Sequence, residues 1–480
     1  MRQGKQVWGW YLGMWRRDND SARGLGGWCN TWGSRERRTP RGTAYARSVG
    51  RREGIARRVH PVGNVAFRCL WCFVFVLPWD VLADFPLVGS IPRLVGLIAS
   101  GVGVLHILAR RRVRPLTWFH VFAVLFVLWA GVTSFWSLDP QATRTQVVTY
   151  VQLLVFVWLL WEIASSPERQ QALLRAYVLG ASVAAVLTIQ NYLSGARFVL
   201  ATDTRFAALN QDPNDLGLTL ALGIPMAWYV SLSQLRTRMR WLWRLYLPLA
   251  IVAVLLTASR GATLVTLVAL MIIPWTHGRL RPGAKVALYA LGIVTLLVAM
   301  AFVPETSLER LTRTRADAET GYLSGRGLIW AAGLDVAWEH PLIGVGAGAF
   351  EAAVEPALHQ RMAAHDVPLS ILVDDGAVGL FLFLAMVAAA LQPLRRLSRL
   401  QQRFSIVLLL ALGIGSLSLS WDTRKQFWFV LGFAAVQTAQ RGARKPRGPC
   451  CAPAALDWDD TADRDVPRNA IAMTSPRPGA

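Results

Sequence analysis

Charged side chains are scarce in this 480-residue chain, 17% of it against 54% hydrophobic residues. Soluble domains carry roughly 25% charged residues, so the deficit argues against an ordinary water-soluble fold and points to a bilayer. Acids are the scarcer sign, 29 Asp and Glu against 51 Lys and Arg. Cysteine is nearly missing as well. The five present (Cys29, Cys69, Cys72, Cys450, Cys451) form no disulfide framework. Cys69 and Cys72 make a C-x-x-C, but it lies inside the apolar run LWCFVFVL, without the polar access or partner ligands that a redox or zinc site needs. They read as small apolar-environment residues. The first 60 residues are too polar and too long to be the n-region of a cleavable signal peptide.

What the chain has in excess is positive charge, net +22. Residues 1–60 hold 14 Lys and Arg against 4 Asp and Glu. A nucleic-acid partner would explain basicity of this size. The remaining arginines, however, fall between hydrophobic runs, which is the pattern of membrane topology signals, and no nucleic-acid partner is expected.

About 20 apolar residues span a bilayer as a helix. Twelve segments qualify or nearly qualify: 63–82, 87–109, 117–137, 146–164, 171–193, 214–233, 245–258, 261–275, 284–303, 371–391, 404–420 and 427–440. With the N-terminus in the cytoplasm, the connections ARRRVRP, QLRTRMRWLWR, HGRLRPGAK and RRLSRLQQR all fall on the cytoplasmic side, as does the C-terminal exit RGARKPR. The opposite connections, such as WSLDPQATR, are poorer in arginine, as the positive-inside rule requires. The expectation is an all-α, polytopic transmembrane bundle of about twelve helices over 63–440. One large outer-face loop, 304–370, contains an amphipathic helix. A basic N-terminal tail (1–62) and a Pro/Ala/Asp-rich C-terminal tail (441–480) are expected to lack fixed structure.

The outer loops carry the candidates for chemistry. Ionisable groups at the mouth of an apolar bundle are costly and usually functional. Within the large loop, Trp330, Leu334 and Trp338 recur at i, i+4 and i+8 and so share a helix face. That face suits either a cover for the bundle or a surface helix holding Arg326 near lipid phosphates. PLIGVGAGAF follows, a G-x-G-x-G run with no preceding strand and no Lys-Ser/Thr, which excludes a nucleotide phosphate loop. It reads as a tight small-residue turn whose amides could also line an anionic pocket. His365 precedes an apolar helix that contains Asp374 and Asp375. A lone loop histidine is more often passive, but one placed here can take a proton from a hydroxyl. Arg260, in TASRGAT, can grip phosphate with Arg326 or pair with a carboxylate such as Asp212. In RFAALNQDPNDLG, Arg205, Asn210 and Asn214 stand at the entry to the sixth segment, and Asp212 or Asn214 there can cap a helix or line a polar cavity.

Together these segments resemble the bacterial O-antigen ligase and polymerase family of integral membrane glycosyltransferases. The resemblance rests on N-x-x-P-N (Asn210, Pro213, Asn214), S-R-G (Ser259, Arg260, Gly261), G-R-x-x-x-W (Gly325, Arg326, Trp330), P-x-x-G-x-G (Pro341, Gly344, Gly346) and H-x10-G-x2-G (His365, Gly376, Gly379). It covers roughly residues 65–440. The resemblance implies transfer of a glycan from an undecaprenyl-diphosphate carrier to a lipid or glycan acceptor hydroxyl, at the periplasmic face of the inner membrane, with no metal, nucleotide or other cofactor. Carried over by motif, Arg260 and Arg326 would hold the diphosphate and His365 would activate the acceptor, while Arg205, Asn210, Asn214, Asp374 and Asp375 would line the substrate site. The chain departs from the family where His-Asn followed by an aromatic becomes His365-Asp366-Val367, and where a Glu becomes Asp374. A repeat-unit polymerase of the same family is the near alternative. A solute transporter is a more distant one, since it should place ionisable groups near the bilayer midplane rather than at one face.

Overall fold

The computed structural model describes residues 61–79, 90–196, 205–208, 211–302 and 325–437. The two tails, Asn210 and the first part of the large loop lie outside the described residues. Those that are described contain helices and no strand. In chain order the helices are α1 (Pro61–Val76), α2 (Ile91–Arg110), α3 (Trp118–Val132), α4 (Pro140–Ile163), α5 (Pro167–Leu193), α6 (Pro213–Leu232), α7 (Thr237–Leu256) and α8 (Arg260–Arg279). They continue as α9 (Pro282–Phe302), α10 (Arg326–Glu339), α11 (Phe350–Leu358), α12 (Val367–Leu391), α13 (Arg399–Ser416) and α14 (Lys425–Val436).

Each of the twelve apolar segments is a helix. By length and composition, nine among the described residues can cross a membrane. Several helices begin earlier than apolarity alone suggests, because their first turn is set by a cap followed by proline. Asp139-Pro140, Ser166-Pro167 and Asp212-Pro213 open α4, α5 and α6, and each cap side chain accepts an amide of the first turn. Proline suits that turn because its missing N–H would have no helical partner there.

Helix α6 is the axis of the bundle. Its sequence is apolar on every side, which a buried helix requires, and 89% of its spanning window is buried against α5, α7, α8 and α13. Tyr177 and Tyr246 satisfy their buried hydroxyls by donating to the carbonyls of Thr219 and Leu220 on α6. By contrast only 11% of the α9 window is buried, so α9 presents its apolar surface outward.

The ends of the bundle differ chemically. At one end the basic connections fold back on helix C-termini: Arg114 donates to the Trp161 carbonyl and Arg169 to that of Ile163 (2.8 Å), both in the last turn of α4. Cations there complement the helix dipole. At the other end the connections before α4, α6, α8, α12 and α14 hydrogen-bond to one another or pack together, and this end holds the candidate site.

Helix α12 is broken. Gly376 has φ 68 and ψ −171 inside the segment 371–391 that the sequence presents as one helix. Residues 341–346 pass through the gap and pair with the exposed backbone: Val345 N and Gly346 N donate to the carbonyls of Val373 and Asp374 (3.0 and 2.8 Å), and Ala377 N donates to the Pro341 carbonyl (2.9 Å). An irregular backbone at membrane depth is tolerated only where protein satisfies it in this way. A Cβ on Gly376 would lie 2.3 Å from the Leu342 oxygen, and one on Gly344 would lie 2.4 Å from the Asp374 oxygen, so the crossing requires glycine on both strands.

Candidate functional site

His365 sits two residues before α12, next to its cap, in the left-handed backbone region (φ 51), and its amide donates to Ser420 Oγ at 3.0 Å. Asp366 then caps α12 by accepting from Leu369 N at 2.8 Å. The imidazole is half-buried, and its pKa is lowered from the ordinary 6.5, first by burial and then by the Arg326 guanidinium, with Asp212 pulling the other way. Arg326, at the start of α10, and Asp212, the cap of α6, are thus near enough for their charges to bear on the ring. Trp330 fastens α10 to the same spot, its indole N–H donating to the Ala364 carbonyl at 2.9 Å.

The tryptophan face expected on α10 is therefore not its packed face. Ile329, Ala332, Gly333 and Ala337 are buried, Trp330 turns inward to make its hydrogen bond, and Trp338 stays 81% exposed. A stripe of small residues lets α10 approach α12 closely, and a row of indoles does not.

Arg260 is the first residue of α8, behind the cap Ser259, whose Oγ accepts from Ala262 N. Ala258 before it is again left-handed (φ 50), so α8 and α12 begin alike: a left-handed residue, a polar cap, then the helix. Arg205 is buried and holds this corner, donating through Nε to the Thr257 carbonyl (3.0 Å) and through Nη2 to Asn214 Oδ1 (2.7 Å). Arg205 and Asn214 are thus joined to each other and to the turn that carries Arg260.

Asp374 and Asp375 are 2% and 0% exposed, inside the break in α12. Asp374 Oδ1 accepts from Phe350 N at 2.7 Å, and its carboxylate also takes the Gly348 amide. The glycine segment is accordingly a tight turn, and its amides do not form an anion pocket. Val345, Gly346, Ala347, Gly348 and Phe350 all donate to protein acceptors. Both carboxyl oxygens of Asp375 lack a hydrogen-bond partner.

The hub of the site, residues 417–424 between α13 and α14, is not among the candidates drawn from the sequence. Ser420 holds His365, and Ser418 packs against Gly261 beside Arg260. Trp421 Nε1 donates to Asp215 Oδ1 (2.9 Å), and Arg424 Nη2 pairs with Asp215 Oδ2 (2.5 Å). Asp422 accepts from Tyr150 Oη (2.6 Å) and Gln146 Nε2 (3.2 Å) on α4, and burial raises its carboxyl pKa. The signal was available: SLSWDTRKQ sets an acid, an arginine and a lysine between two apolar helices, the criterion that singled out Arg326 to Gly379.

Residues 245–384 match the O-antigen ligase family. The matched stretch contains Arg260, Arg326, the glycine segment, His365 and the break in α12, and so includes all three residues highlighted by motif. Arg205, Asp212 and Asn214 precede it, and the 417–424 hub follows it. No curated protein matches the chain. The matched stretch lies within a chain whose described residues include nine helices long and apolar enough to cross a membrane.

Proposed function

We propose that the chain transfers a glycan from an undecaprenyl-diphosphate carrier to an acceptor hydroxyl, as an O-antigen ligase does, with His365 as general base and Arg326 and Arg260 on the diphosphate. The observation that carries this reading is a convergence at one end of an apolar bundle: Trp330, four residues after Arg326, donates to the Ala364 carbonyl beside His365 (2.9 Å), and the segment whose Ser420 accepts from the His365 amide packs its Ser418 against Gly261 beside Arg260. The matched stretch, which contains His365 and both arginines, supports it.

The chemistry follows from the placement. Burial and Arg326 disfavour the charged imidazole, so His365 is neutral near pH 7 and able to accept a proton. The acceptor oxygen attacks the anomeric carbon while its proton passes to His365. The bond from that carbon to the carrier phosphate breaks, and undecaprenyl diphosphate leaves with the electron pair. Fixed guanidinium charges facing the leaving group stabilise the charge that develops there, which is commonly the largest contribution to transfer chemistry. Arg205 and Asn214 position the Arg260 turn, and Asp374 and Asp375 belong to the scaffold that holds the α12 entry. The basic connections lie at the opposite end, which supports an outer-face site in the inner membrane.

The test uses the full chain in vesicles supplied with carrier-linked donor and acceptor. His365→Ala is expected to lower transfer about 10²–10⁴-fold, the range for loss of a general base, and Arg326→Ala to abolish it, with both proteins still inserting. Transfer at the wild-type rate in both variants would sink the assignment.

A further inference from the structure

Arg244 is a charge without a counter-ion. It ends the first two turns of α7, TRMRWLWR, at the basic end of the bundle, and is 3% exposed. Its guanidinium carbon lies 4.8 Å from the centre of the Trp241 ring and 5.2 Å from that of Trp228 on α6. Its Nε is enclosed and has no hydrogen-bond partner, whereas the two Nη atoms are not sealed in. No carboxylate among the described residues pairs with it. A charge held in apolar surroundings is costly unless an anion accompanies it.

The surrounding helices have no anion to offer. There is no Asp or Glu between Asp215 and Glu305, a span that covers most of α6 and all of α7, α8 and α9, and none between Asp375 and Asp422, which covers α13. Glu168, in the first turn of α5, makes no ion pair with these arginines. The neighbours are cations instead. Arg240 stands one turn before Arg244 on the same face of α7. Arg403 of α13 donates through Nη1 to the Trp275 carbonyl near the end of α8 (2.8 Å), and the next residue, Thr276, accepts the indole N–H of Trp228 at 2.8 Å. Direct contacts thus lead from both Arg244 and Arg403 to one turn of α8. Leu242, Leu245, Met271 and Trp275 are exposed on the same stretches of α7 and α8, so this corner meets lipid. Trp241 and Trp275 suit headgroup level, where tryptophan is enriched.

We propose that this corner binds the phosphate of an anionic phospholipid, in the leaflet at the basic end of the bundle. The Nη groups of Arg244 meet the phosphate, Arg240 and Arg403 add charge beside it, and the exposed leucines meet the acyl chains. Arginine suits the task, because its planar fork matches phosphate oxygens and it is more weakly hydrated than an ammonium. Basic sites between spanning helices favour such headgroups. The exposed apolar side chains select a lipid over a soluble anion. The site lies at the opposite end of the bundle from His365, so it stands independently of the glycan-transfer reading.

Native mass spectrometry of the full chain in detergent reads the lipid preference directly. The probes are phosphatidylglycerol and phosphatidylcholine with matched acyl chains, offered in equal amounts. The wild type is expected to retain phosphatidylglycerol in preference. Arg244→Gln and Arg403→Gln should each lower that preference about fivefold, the attraction of one arginine to an anionic headgroup. Arg112→Gln, which changes an exposed arginine in the connection between α2 and α3, should leave it unchanged. If Arg244→Gln fails to insert, Arg403→Gln decides alone. The site is overturned if the wild type shows no preference, if the inserted variants keep it, or if Arg112→Gln lowers it equally, since diffuse surface charge then explains it. It is also overturned if the preference appears only after Asp457, Asp459, Asp460, Asp463 and Asp465 are changed to Asn, because the acidic stretch of the C-terminal tail is then the natural occupant.

Discussion

His365 and Ala258 are non-glycine residues held at positive φ, each one position before a polar cap. Such conformations cost of order 1–3 kcal/mol and persist only where surrounding structure enforces them. Here the Ser420 hydroxyl on the His365 amide is part of that enforcement. The same environment sets the proton chemistry. If neutral His365 is the base, kcat/KM rises with pH as the imidazole loses its proton, and burial together with Arg326 puts this limb below the ordinary 6.5. Asp212 pulls the pKa upward, so Asp212→Asn should move the limb to still lower pH. A pH profile of transfer in vesicles checks the sign, and movement to higher pH would contradict the role of Asp212. At this scale the sequence was informative about His365, Arg326 and Arg260, because charge beside an apolar run is conspicuous. It was silent on Ser420 and Asp215, whose importance depends on contacts from distant parts of the chain.

The broken α12 and the glycine segment form one unit among the helices, since each supplies the hydrogen bonds the other lacks. Gly376→Ala and Gly344→Ala should each destabilise the protein by more than about 2 kcal/mol, from left-handed strain plus backbone overlap. Gly413 on α13 is the control: a Cβ there meets nothing within 4 Å. Gly413→Ala should be neutral or stabilising by up to about 1 kcal/mol, the helix-propensity difference. Unfolding midpoints in detergent separate the three, and equal midpoints would remove the argument for the crossing. The tight turn was legible from Gly344, Gly346 and Gly348. The break was not, because 371–391 is long and apolar enough to read as one helix despite Asp374 and Asp375, and nothing local to Gly376 reveals the segment that passes through it. The α10 face misled for a related reason: i, i+4 spacing identifies residues on one side of a helix, but Gly333 and Ala337 show that close packing favoured small side chains over tryptophan.

For the molecule as a whole, hydropathy was enough to locate the long apolar helices among the described residues, since lipid demands apolar length. Hydropathy and loop charge missed the 417–424 hub although SLSWDTRKQ sets charge between two apolar helices, because what makes it a hub is contact with α4, α6 and the His365 turn, all distant in the chain. The topology predicts that, in a background without the native cysteines, Thr423→Cys is labelled by an impermeant maleimide from outside right-side-out vesicles. Ser398→Cys should react only after permeabilisation, and the reverse pattern would invert the bundle. The central claim is glycan transfer at the end where Arg260, Arg326 and His365 gather. Its most direct test is to give the reconstituted chain a carrier-linked glycan and an acceptor, and to quantify both products by mass spectrometry. The account predicts one free undecaprenyl diphosphate for every glycosylated acceptor; neither product forming, with a solute instead crossing the vesicle membrane, would contradict it.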